Sequence, residues 1–296
     1  MTRASVNYLG VGILVLVTVI WGTTFPIVKS ATESLSPAVL TAMRFLVAAL
    51  VLSPWLRFAS RQLWLDGGLI ALVLFISYLT QVIGLSSISS SRAAFITGLN
   101  VIIVPLILPF VRQRVPWTAF LAGAVALFGI GLMSVQGLTL TFSVGDFWVL
   151  GCAVSYALYI VMMDRVVQKY QPLPLAAVQV AVVAVLGLCW AAPELIQNPP
   201  TTAILENWLP IVYLGLIATA LTTLAQSFAQ RLVPAFQTAV IYALEPVFAA
   251  IFSVWWLNDK FTQLGLVGAG CILVAMIICQ IDPDAAKRAT KVQERL

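Results

Sequence analysis

Apolar residues fall along this chain in ten runs, at about 8–28, 37–56, 67–85, 93–110, 118–137, 145–163, 173–192, 208–228, 236–256 and 263–281. Each run is roughly 18–22 residues long, close to the ~20 that a helix needs to cross the hydrocarbon of a bilayer. The polar segments between them are short, and none has room for a soluble domain. The pattern predicts an all-α polytopic membrane protein with ten transmembrane helices. The first run exceeds the apolar core of a signal peptide and no small-residue cleavage pattern follows, so it is read as a retained span.

Charge adds an orientation. Twelve basic residues (Arg3, Arg57, Arg61, Arg112, Arg114, Arg165, Lys169, Arg231, Lys287, Arg288, Lys291 and Arg295) lie in segments that share a side with the N-terminus. Three, Lys29, Arg92 and Lys260, lie on the other side. Cytoplasmic loops carry the excess of Lys and Arg, so both termini are expected in the cytoplasm, with the chain in a bacterial inner membrane. The same scatter over six short segments argues against a nucleic-acid surface. Composition agrees: 61% of residues are hydrophobic and 9% charged, whereas about a quarter of a soluble domain is charged. The net charge of +5 follows from the loop asymmetry.

The chain contains no histidine, which removes histidine-dependent catalysis and the commonest metal ligand. Cys152, Cys189, Cys271 and Cys279 all fall inside apolar runs without metal-ligand spacing and read as small buried hydrophobes. No cofactor, no metal site and no enzymatic activity are expected. No two aspartates lie deep in the spans, as an intramembrane aspartic protease would require.

The two halves echo one another. At an offset of 141 residues Pro105 pairs with Pro246, Phe95 with Phe236 and Thr97 with Thr238. An offset of 135 pairs Pro37 with Pro172, Ala42 with Ala177 and Arg44 with Gln179, and one of 145 pairs Gly123 with Gly268. The offsets change only in connections or at helix ends. Each half holds five spans, so the second must enter the bilayer from the opposite side. The expected organisation is two inverted five-helix repeats, 1–140 and 141–282, followed by a cytoplasmic tail at 283–296. Inverted repeats are typical of secondary transporters, whose sites lie at the midplane between the repeats.

The segments "VIWGTTFPIVKS", "AMRFLVAAL", "SRAAFITGLNVIIVPL" and "ALEPVFAAIFSVWWLNDKFT" resemble the EamA family of the drug/metabolite transporter superfamily. The resemblance extends through about residue 281 and covers both halves. It implies a ten-helix carrier of small metabolites or drugs, often outward, with amino-acid exporters among its members. The family pattern ends the ninth span in glycine and glutamate; here the pair is Asn258 and Asp259.

Polar residues within the spans mark the candidate site. Glu245 lies near the middle of the ninth run, about 13 Å from either end at ~1.5 Å per residue. A charge there costs roughly 2.5–3.5 kcal/mol on insertion scales, so the group should face protein or water. Pro246 deprives the Tyr242 carbonyl of its donor, and Pro105 repeats the kink in the fourth span. Arg44 lies at a depth from which it could pair with Glu245, snorkel outward, or bind an anionic group of a substrate. In the eighth span Thr219, Thr222, Thr223, Gln226 and Gln230 share one helical face. Ser77, Tyr78 and Gln81 in the third span, Thr97 and Asn100 in the fourth, Thr18, Trp21 and Phe25 in the first, and Tyr156 and Tyr159 in the sixth complete the set. Ala119 with Gly123 and Gly265 with Ala269 are small-residue pairs suited to close helix approach.

From these, Trp21, Arg44, Tyr78, Asn100, Tyr156, Tyr159, Gln226 and Glu245 are the candidate substrate-binding residues. Glu245 is also the candidate for proton coupling, because no histidine or second deep carboxylate is available. The expected function is alternating access for a small polar metabolite such as an amino acid, with export the favoured direction. A channel or facilitative pore, or an importer or exchanger, are the alternatives. The expected partners are the solute, protons and the lipid bilayer, for a chain acting as monomer or homodimer.

Overall fold

In the computed structural model, which describes residues 7–111, 115–134, 143–257 and 263–280, the described part of every apolar run is mainly helical. The helices are α1 Tyr8–Ala31, α2 Pro37–Leu52, α3 Arg61–Ser87, α4 Ser90–Thr97, α5 Asn100–Ile107, α6 Trp117–Ser134 and α7 Val144–Val166. They continue with α8 Pro172–Gln197, α9 Thr201–Glu206, α10 Trp208–Gly215, α11 Thr222–Ala229, α12 Ala235–Tyr242, α13 Glu245–Leu257 and α14 Gln263–Gln280. No strand occurs among the described residues. Seven helical stretches are long and apolar enough to cross a membrane; Trp117–Leu132, Ala235–Ala249 and Gln263–Ile278 are shorter apolar helices. The pair Asn258–Asp259 and the tail at 283–296 lie outside the described residues.

Local chemistry sets the helix starts. Ser36, Ser60, Ser89 and Ser143 sit before α2, α3, α4 and α7, and each accepts a hydrogen bond from a backbone N–H of the first turn. Such caps satisfy donors that have no partner within the helix. Pro37 and Pro172 occupy first-turn positions, where a missing N–H costs nothing.

Side-chain contacts define two ends of the bundle. At the end where the chain enters, Lys169 and Tyr170 reach Asp66 at 3.4 and 2.9 Å, Gln168 reaches the carbonyl of Arg231, and Arg165 that of Val111. At the opposite end Lys29 donates to the carbonyls of Leu85 and Ser86, each at 3.0 Å, and Ser36 donates to Glu194. There Arg92 grips Asp146 with a two-pronged contact, Nε to Oδ1 at 2.6 Å and Nη2 to Oδ2 at 2.8 Å.

The repeat read from sequence has a counterpart in packing. A Cβ built on Gly145 would meet Ser87, Ile88 and the Gly84 carbonyl, at 2.3, 2.7 and 3.2 Å. A Cβ on Gly10 would meet Leu232, Val233 and the Ala229 carbonyl, at 3.0, 2.7 and 3.4 Å. Gly10 and Gly145 are 135 residues apart, while Gly84, Ser87 and Ile88 each precede Ala229, Leu232 and Val233 by 145. The same close approach is thus made twice, once at each end. Helix neighbours follow the exchange: α3 packs on α7 as α11 does on α1, while α2 with α8 and α6 with α14 are their own counterparts. The halves interlock, so they are not two bodies lying side by side.

Two helical stretches are interrupted near mid-bundle. α12 gives way to α13 at Ala243–Leu244, just before Glu245–Pro246, where the proline lacks the N–H that would continue the ladder. In the fourth run the break falls at Gly98–Leu99, and Pro105 lies within the continuous α5. Between α10 and α11 the residues Leu216–Leu221 form a π turn. Of the small-residue positions, Gly123 lies close to the backbone of Val101 and Ile102 in α5, and Gly129, outside the pairs read from sequence, lies against the Gly268 carbonyl of α14.

Candidate functional site

Between the interrupted helices lies a small cavity of about 30 Å³, lined by Trp21, Thr24, Arg44, Ser77, Tyr78, Gln81, Thr97, Cys152, Tyr156 and Glu245. Six helices contribute to it. Thr24, Arg44, Tyr78 and Gln81 lie in the halves of α1, α2 and α3 nearer the end that carries Lys29 and Arg92.

Arg44 is 3% exposed. Its Nε and Nη2 both donate to Thr219 Oγ1, at 3.1 and 2.9 Å, and its guanidinium carbon sits 4.8 Å from the ring centroid of Tyr78. The π turn bears Thr219; such widened turns recur at functional sites because they re-aim side chains. Arg44 and Glu245 do not form an ion pair among the described residues. They stand instead on the wall of one cavity. Glu245 is 8% exposed and opens α13 directly after the break. Its placement at the cavity keeps the carboxyl in reach of water or a solute, which a carboxyl against hydrocarbon would lack.

Trp21 packs edge-on against Tyr156 with ring centroids 5.7 Å apart, and against Tyr242 at 5.0 Å. Tyr156 stacks in turn on Tyr159 at 5.4 Å. The Trp21 indole N–H is buried without a hydrogen-bond partner. Behind this aromatic floor runs a polar chain. Tyr156 donates to Gln226 at 3.2 Å, Gln226 to Gln230 at 2.9 Å, and Gln230 to the Ile160 carbonyl at 3.2 Å. Tyr159 donates to Gln179 at 2.7 Å.

Of the residues singled out from sequence, Trp21, Arg44, Tyr78, Tyr156 and Glu245 line the cavity. Tyr159 and Gln226 lie behind it in the hydrogen-bonded layer. Asn100 is buried at the start of α5 with its Oδ1 unpartnered, and is not part of the lining. Sequence reasoning did not single out Thr24 or Tyr242, and treated Cys152 as packing alone. Cys152 is buried, but it borders the cavity with its sulfur 3.4 Å from Ser77 Oγ. Thr24 could have been found by the internal repeat, since it stands 135 residues before Tyr159.

The model of the EamA-like transporter family matches twice, over residues 8–135 and 143–279. The chain belongs to this family. It is therefore a multi-pass membrane transporter, and its two matched segments meet at the cavity. It is 31% identical over 268 residues to an uncharacterized transporter of Archaeoglobus fulgidus, covering 90% of this chain and 84% of that one. It is 27% identical over 172 residues to a protein of Streptantibioticus cattleyicolor named a probable terminal-alkyne amino-acid exporter, covering 57% and 56% of the two chains. A solved crystal structure superposes with a TM-score of 0.72 at 18% identity, over 91% of this chain and 96% of the other. That likeness speaks to the fold alone.

Proposed function

We propose that this EamA-family transporter exports small polar metabolites, amino acids among them, across a bacterial inner membrane by alternating access. The proposed topology has ten spans in two inverted repeats, 1–140 and 141–282, with both termini in the cytoplasm. The observation that carries the reading is the mid-bundle cavity, which holds a cation and a carboxyl that are not paired with each other. A structural ion pair would have joined them. Separated groups of opposite sign suit a solute that carries both signs, and aromatic faces at Trp21, Tyr78 and Tyr156 suit its apolar part. Tyr159 and Gln226 support the lining from behind through Tyr156, and Asn100 is proposed as a further solute contact in another state of the cycle. Glu245 is the proposed proton-coupling group. The relative named as an amino-acid exporter supports the substrate class and the direction.

The test is transport by purified protein in proteoliposomes, with labelled amino acids and an imposed pH gradient. Accumulation driven by the gradient is expected for the native protein, with counterflow but no pH-driven accumulation for Glu245→Gln. Unchanged pH-driven accumulation by that variant removes the proton role. No counterflow of any amino acid by the native protein removes the substrate class.

A further inference from the structure

The packing correspondence between Gly10 and Gly145 fixes which residues of the two halves are equivalent, and it can be carried into the cavity. Thr24 stands seven residues before the end of α1, and Tyr159 seven before the end of α7. Arg44 and Gln179 each stand seven residues after the proline that opens their helix. Gln81 and Gln226 each precede by three the small residue, Gly84 or Ala229, over which the other half packs. The same offset pairs Tyr78 with Thr223. The first member of each pair lines the cavity. The second members lie at the same depth measured from the opposite end of the bundle, the end where the chain enters.

There the polar set is shut. Tyr159, Gln179, Thr223 and Gln226 are 0, 0, 4 and 2% exposed. Tyr159 is bonded to Gln179, and Gln226 links Tyr156 to Gln230 and so to the Ile160 carbonyl. A face that only had to stay closed would be filled with apolar side chains, because buried amides and hydroxyls stabilise little even when paired. Glutamines and a tyrosine that bond across helices when shut can instead be hydrated when parted.

We propose that Tyr159, Gln179, Thr223 and Gln226 form a latent second solute chamber at the chain-entry end, equivalent to the open cavity and locked here by the Tyr159–Gln179 and Tyr156–Gln226–Gln230 bonds. Opening it closes the first. The inference rests on the alternating access proposed above and names the residues that exchange roles in it.

The test needs no substrate. Cys152 borders the open cavity and serves as the reporter of one side when Cys189, Cys271 and Cys279 are replaced by serine. Thr223→Cys, with Cys152 also replaced by serine, reports the other. Each is labelled with a membrane-impermeant cationic methanethiosulfonate in right-side-out and inverted vesicles. In the parent proteins Cys152 is expected to label from its own face, and Thr223→Cys only weakly from the chain-entry face. Tyr159→Phe removes one buried hydrogen bond without altering shape and shifts the shut-to-open ratio about fivefold. Labelling of Thr223→Cys should rise about fivefold while that of Cys152 falls. Adding Gln179→Leu removes the orphaned acceptor and should return both toward the parent values, which shows that the variants fold.

A rise at Thr223→Cys with no fall at Cys152 means local loosening and overturns the latent chamber, leaving the transport reading intact. No change at either reporter overturns the lock in the same way. A Cys152 thiol that labels from neither face removes the solvated cavity, and with it both readings.

Discussion

Replacing Thr219 by valine keeps the volume of the side chain and deletes one hydroxyl. That hydroxyl accepts both the Nε and the Nη2 protons of Arg44, at 3.1 and 2.9 Å, from a guanidinium only 3% exposed. Hydrogen bonds to charged groups contribute about 1.5–3 kcal/mol, and a buried donor left unpaired adds its desolvation cost. Because Arg44 borders the cavity, water can replace part of what is lost. Thr219→Val is therefore expected to destabilise the protein by about 2 kcal/mol. Thr219→Ser, which keeps the acceptor, should lose less than half of that. The assay is reversible unfolding in mixed micelles titrated with dodecyl sulfate, repeated in an Arg44→Met background. With the charge gone the hydroxyl has nothing to hold, so the cost of Thr219→Val should largely vanish there and give a coupling energy of at least ~1 kcal/mol. Equal stability of Thr219→Val and the native protein, or the same cost in both backgrounds, would refute the view that the π turn exists to hold Arg44.

Four further outcomes follow from the contacts described. Gly84→Ala would place a methyl 2.4 Å from Val149 Cγ2 and 2.8 Å from the Gly145 carbonyl, and forcing α3 and α7 apart should cost about 1–3 kcal/mol in the same unfolding assay. Ala229→Gly at the equivalent place should cost no more than about 1 kcal/mol. Asp146→Ala should destabilise more than Arg92→Gln, because Asp146 takes the Arg92 fork and also the Ser143 backbone N–H at 2.6 Å; the difference expected is that of a cap, about 0.5–2 kcal/mol. Equal losses in those two variants would mean that the cap contributes nothing. Glu245→Gln should leave unfolding nearly unchanged, since it removes no ion pair, while it abolishes pH-driven transport in proteoliposomes.

Much of the helix layout was legible because hydrocarbon permits few backbone solutions. A run of apolar residues bounded by a serine cap and a proline has little choice but helix, and the starts at Pro37, Val144 and Pro172 fall within one residue of the predicted runs. α3 begins at Arg61, several residues before the apolar run at 67, because winding continues through Gln62 and Asp66, which bond to one another while Asp66 also accepts from Tyr170. Hydropathy sees solvent preference, and a helix end is set by backbone pairing. The depth of Glu245 and the break beside Pro246 were likewise readable. The partner of Arg44 was not: depth along two helices placed Glu245 within reach, but rotation about those axes aimed the guanidinium at Thr219 and Tyr78. The polar face of the eighth span was recognised as a stripe, yet it serves two neighbours, Thr219 turning to α2 and Gln226 to α7. A regular helix cannot divide its face in this way, and no local pattern in "GLIATALTT" announces the wider turn.

That wider turn has a hereditary consequence. It holds one residue more than α-helical winding requires, so loss of one codon just after Thr219, at Ala220 or Leu221, would restore a regular, better-bonded spiral. The repaired spiral would carry everything beyond it about 100° around the axis, parting Gln226 from Tyr156 while Thr219 stayed near Arg44. A deletion that improves the local backbone would thus uncouple the two ends of the molecule. In this segment reading-frame-preserving deletions are expected to be purged more strictly than substitutions.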